Sequence, residues 1–82
     1  MNKHYNLKTV EKIMQYQSYS EKLNTFAEYL IFKLTHKKQR VMCIECINTT
    51  NGIITYTVET HYNEYVVTIN TINMKGYAKI AW

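Results

Sequence analysis

The chain reads as an α+β domain, with one or two N-terminal helices packed on a four-stranded antiparallel β-meander. Three observations predict it. An Asn51-Gly52 pair sits between two apolar runs, two further runs of the same kind follow at four-residue links, and before Gln39 apolar residues recur at three- and four-residue spacing. One compact domain is expected over 1–82, helical over 6–38 and sheet over 40–82. A chain of this length buries only roughly 60 to 65 per cent of its unfolded surface. So thin a core favours a binding role over a multi-group active site.

Asn6 is placed to cap a first helix running to about Gln17, in which Leu7, Val10, Ile13 and Met14 share one face. Ser18 followed by Glu21 fits a capping box and predicts a second helix over about Ser20 to Lys37. One long helix competes with this reading, since Tyr16, Tyr19, Leu23, Phe26 and Leu30 keep the period through the same stretch. Two helices are preferred. In the second, Leu23, Phe26, Ala27, Leu30 and Leu34 form the stripe that must lie on the sheet, and Tyr29, Ile31 and Phe32 widen it.

Strand pairing follows from parity, because side chains alternate between the two faces. A four-residue link His61–Glu64 would pair Val58 with Val67 and Tyr56 with Ile69. A second link, Asn73–Gly76, would set Ile80 against Ile69 and Trp82 against Val67, with Gly76 in the left-handed position. For the first hairpin, a two-residue Asn51-Gly52 loop would turn Glu45 inward. A three-residue loop pairs Cys46 with Tyr56 and Ile44 with Val58 and leaves Glu45 in solvent. The second is preferred, because burying an unpaired carboxylate is expensive. The expected inner face is Met42, Ile44, Cys46, Ile54, Tyr56, Val58, Tyr65, Val67, Ile69, Ala78, Ile80 and Trp82. The outer face carries Thr55, Thr57, Thr68, Glu45, Glu59, Asn70 and Lys79, with Val41, Cys43, Ile47, Ile53, Val66, Ile72 and Tyr77 among them.

The formal charge is +4, and it is unevenly spread. Residues 1–40 hold eight Lys/Arg, Lys3 among them, against Glu11, Glu21 and Glu28, a balance of +5, while the remainder is close to neutral at −1. Any attraction to polyanions therefore belongs to the helical half. No apolar run approaches the length of a membrane span, and Met1–Val10 has no signal-like apolar core, so a cytoplasmic protein with no membrane role is expected.

Cys43-Ile44-Glu45-Cys46 is a CxxC. Read as mid-strand, it sends its two sulfurs to opposite faces, which predicts neither a disulfide nor a metal grip. Both glycines are accounted for as turn residues, so no phosphate-binding loop is expected. The histidines and glutamates assemble no nucleophile, base and orienter by spacing. A protein without cofactor or catalysis is expected.

Two residue sets point to binding. Lys33, His36, Lys37, Lys38 and Arg40 form a basic cluster at the end of the second helix. It suits phosphates or an acidic partner, although helix-end charge complementarity also accounts for cations there. With one Arg, and Tyr77 alone as an outer-face aromatic, neither base-edge readout nor a stacking sheet is supported. Tyr16, Tyr19, Tyr29 and Tyr62, with Tyr5, lie outside the sheet core and suit a protein interface or a homodimer contact. The composition, without Pro or Asp and rich in Asn, Ile, Lys and Tyr, fits AT-rich coding. The leading expectation is a small non-catalytic protein-binding module, an inhibitor of a host complex such as phages and mobile elements make, in the manner of anti-CRISPR proteins. A small basic nucleic-acid-binding protein is the alternative.

Overall fold

Two helices precede the sheet. A computed structural model describes residues 6–81: α1 (Leu7–Met14), α2 (Tyr19–Thr35), β1 (Val41–Thr50), β2 (Ile53–Thr60), β3 (Glu64–Asn70) and β4 (Lys75–Ile80). Lys3, Tyr5 and Trp82, and with them the expected Trp82 pairing and inner-face position, lie outside the described residues.

The break between helices has a local cause. Asn6 Oδ1 accepts from Thr9 N at 3.0 Å, which starts α1. At the other end Tyr16 N and Gln17 N donate to Ile13 O (3.3 Å) and Met14 O (3.1 Å), a tightened last turn. Ser18 is then extended and starts α2. Glu21 N donates to Ser18 Oγ (3.4 Å), and Ser18 N donates to Glu21 Oε1 (2.8 Å). That backbone bond, followed by the hydroxyl, holds the Glu21 carboxyl below its ordinary 4.5. α2 ends at His36, whose left-handed backbone (φ 62) lets its N–H reach Phe32 O at 2.7 Å.

The four strands form one antiparallel sheet in the order β1-β2-β3-β4, a meander. Its first hairpin reconciles the two loop readings. The turn is two residues long, with positive φ at Asn51 (52) and Gly52 (80), as a type I′ turn requires. A bulge at Ile47 then shifts the ladder, so that Cys46 faces Tyr56 and Ile44 faces Val58 while Glu45 stays outside. A second bulge, at Met42, reverses the expected ends of β1. Val41 packs on the core, and Met42 is 63% exposed instead of buried.

The other two registers slide by even numbers of residues, which preserves the faces. Val58 pairs with Tyr65 and Tyr56 with Val67, because the Thr60 hydroxyl, accepting from Tyr62 N and Asn63 N, starts the turn earlier than expected. Ile80 pairs with Tyr65, because Asn70 Oδ1 accepts from Ile72 N at 2.9 Å and opens the β3–β4 link at Thr71. Met74, not Gly76, takes the left-handed position there (φ 55). Gly76 is needed for closeness instead: a Cβ on it would stand 2.5 Å from Thr68 O and 3.1 Å from Leu30 Cδ1.

The core joins Phe26, Ala27, Leu30 and Ile31 of α2 to Tyr56, Val58, Tyr65, Val67, Ile69 and Ala78 of the sheet, with Val10 and Met14 of α1 completing it. Leu34, Cys46 and Ile80, expected inside, are exposed, because one helix does not reach every corner of the inner face. β1 and β4 are the edges of the sheet. Glu28 reaches the β1 edge, its Oε2 accepting from Val41 N at 3.1 Å.

Candidate functional site

The sheet's two ends are finished differently. At one end the hairpin tip meets the β3–β4 link, Thr71 Oγ1 donating to Gly52 O at 2.7 Å, and α1 packs on α2. A groove of about 390 Å³ opens there, walled by Leu7 and Met14 of α1, Tyr19, Leu23 and Phe26 of α2, Tyr56 and Ile69 of the sheet, and Met74 of the link. The lining is mainly apolar, with Glu11 and Lys22 as its charges. Of its walls, Tyr19 (72% exposed) and Met74 (51%) also stand in solvent.

On the groove wall the Tyr56 phenol lies near Tyr19. Burial first, then the neighbouring Tyr19 and Cys46, pushes Tyr56 up to about 12. Cys46 pairs with Tyr56 on the inner face, whereas Cys43 pairs with Glu59 on the outer, so strand alternation separates the two sulfurs of the CxxC.

At the far end of α2, roughly 25 Å along its 17 residues, the finish is polar. Gln39 is buried. Its Oε1 accepts from Thr60 Oγ1 (2.7 Å) and Tyr65 Oη (3.0 Å), and its Nε2 donates to Thr35 Oγ1 (3.2 Å). One side chain thus ties the α2–β1 link to the β2–β3 link. Around this knot Lys33, His36, Lys37, Lys38 and Arg40 are all exposed, as the cluster read from the sequence requires. Lys37 Nζ lies 5.4 Å from the centre of the Tyr62 ring, and the His61 and Tyr62 rings are 4.7 Å apart.

The four tyrosines read as one interface set do not form one surface. Tyr19 lines the groove, Tyr16 is exposed in the α1–α2 link, and Tyr62 lies beside Lys37 at the basic end. Tyr29 is only 8% exposed, stacked on Phe26 at 6.2 Å and approached by Lys33 Nζ at 6.0 Å, so it serves the core and not an open surface. Sequence reasoning missed Gln39, the groove residues Leu7 and Met74, and the partnership of Tyr62 with Lys37. The surplus of apolar positions around α2 was the available sign of the groove. Nothing comparable announced Gln39, since a lone Gln in a basic link reads as solvated.

Comparison of the chain with protein-family models, with curated proteins and with solved structures gave no match. Among the described residues no helix is long and apolar enough to cross a membrane.

Proposed function

We propose that this protein is a non-catalytic binding module that takes the apolar face of an amphipathic segment from a partner protein into the groove between α1, α2 and the β3–β4 link. One observation carries the reading: the apolar lining includes Tyr19 and Met74, which are themselves exposed and carry the apolar surface out of the groove. An enclosed small-molecule site would bury most of its ligand. An open groove with apolar shoulders suits a longer occupant, and Tyr is a residue that interfaces favour. Lys22 on the wall, with Lys8 and Lys12 on α1, favours acidic residues flanking the apolar face of that segment. The finer reading, an inhibitor of a host complex encoded by a phage or mobile element in the anti-CRISPR manner, is supported by the small size and AT-rich composition.

The test is selection from a displayed library of random peptides against the immobilised protein. Enriched peptides are expected to space apolar residues at helical intervals with acidic flanks, and Met74→Glu is expected to abolish their binding. Peptides that bind the Met74→Glu variant as tightly as the parent would overturn the proposal, as would a selection that enriches nothing.

A further inference from the structure

The basic end carries a feature that helix-end electrostatics does not explain. A helix dipole favours cations in the last turn, which accounts for Lys33. Lys37, Lys38 and Arg40 follow the His36 cap, however, and Tyr62 comes from a different part of the chain altogether. The Gln39 network brings these parts together and holds them on buried hydrogen bonds. Although His61 packs beside it and Lys37 lies over it, the Tyr62 ring remains 62% exposed. The product is an exposed aromatic side chain with the Lys37 ammonium 5.4 Å from its ring centre and further cations on the adjoining link.

We infer that this end binds a single-stranded nucleic acid, one base stacking on the Tyr62–His61 pair while Lys37 and Arg40 take the adjoining phosphates. An exposed ring beside cations is what such strands use, because every base offers a π face and every linkage a charge. An acidic peptide would use the cations and gain little from the ring. A duplex would hide its bases from the ring, and a single Arg offers poor base-edge readout. Glu59 and Glu64 pair with each other on the outer face beside the same link, both exposed, and their repulsion directs the strand to the helix side. The groove takes no part in this contact.

Fluorescence anisotropy of the whole protein with a labelled oligothymidylate of about ten nucleotides tests the inference. Binding is expected at low salt, weakening linearly in log–log form between about 50 and 200 mM. Tyr62→Ala should weaken it by about 5- to 150-fold with the salt slope unchanged. Lys37→Glu should weaken it and flatten the slope, whereas Met74→Glu should leave it untouched, which separates this site from the groove. Tyr62 is exposed, so circular dichroism should show Tyr62→Ala folded. Absence of binding at low salt would overturn the inference. So would preference for duplex, or polyglutamate competing as well as oligothymidylate with Tyr62→Ala indifferent, which would mark an acidic protein ligand.

Discussion

The two ends of α2 meet the same sheet under different rules. At the Tyr19 end the contacts are apolar side chains, and they leave a groove of about 390 Å³. At the Thr35 end the contact is polar: one buried amide joins α2 and the two strands β2 and β3. The contrast follows from size. Seventeen helical residues cannot cover both corners of a four-stranded sheet with the apolar surface a chain this short possesses. One corner is closed by hydrogen bonds, which need few atoms, and the other stays open, where its apolar surface is available for binding.

Removing the amide should break the contrast most severely. Gln39→Ala leaves the Tyr65 hydroxyl without its acceptor and the Thr60 hydroxyl with Asn63 O alone at 3.2 Å, and an unsatisfied buried group costs about 1–3 kcal/mol. A loss of about 2 kcal/mol in urea unfolding is expected, together with weaker oligothymidylate binding as the two links drift apart. A loss below about 1 kcal/mol would mean that water replaces the amide and that the network does not hold this end.

Gly76→Ala acts midway between the ends. The new Cβ meets a backbone oxygen of the neighbouring strand as well as Leu30, so either β4 or α2 must move. Overpacking of this kind costs about 2 kcal/mol, and the groove and the basic end should be disturbed together. Ser18→Ala is confined to the groove end. It removes half of the capping box, an expected loss of about 1 kcal/mol. The Glu21 carboxyl is held below 4.5 by Ser18, so its contribution is complete above that pH and disappears as acid carries it through the lowered value. Acid unfolding should therefore begin at higher pH in Ser18→Ala than in the parent.

What the sequence revealed follows the same division. Periodicity and caps located both helices, and parity placed most of the sheet residues on their observed faces, because alternation survives any slip by two or four. Beyond the inner-face corners that α2 leaves uncovered, the errors lie where one residue counts. The Met42 bulge exchanged Val41 and Met42 between core and solvent, and no local signal in Val41-Met42-Cys43 marks a bulge. Gly76 was readable as special but not for its reason, since a glycine's need for space under Leu30 is a tertiary fact. The basic cluster was legible because its members are neighbours in the chain. Its aromatic partner Tyr62 was not, since it is joined to them through Gln39 and Thr60, 21 residues apart.

The smallest expected effect is also the most local probe of the groove wall. Tyr56 is raised from 10.0 to about 12 by burial, then by Tyr19. A raised folded value means that its contribution is whole below pH 10 and is lost as pH climbs toward 12. Tyr19→Phe removes the neighbouring hydroxyl but not the burial, so the Tyr56 phenolate should form at lower pH than in the parent while still above 10. Difference absorbance against Tyr56→Phe isolates that titration from the other tyrosines. If Tyr19→Phe left the titration in place, burial and Cys46 would account for it, and Tyr19 would be free to swing away from the wall. Any occupant of the groove would then meet a movable tyrosine in place of a fixed one, and the stiffness of the open end would depend on packing alone.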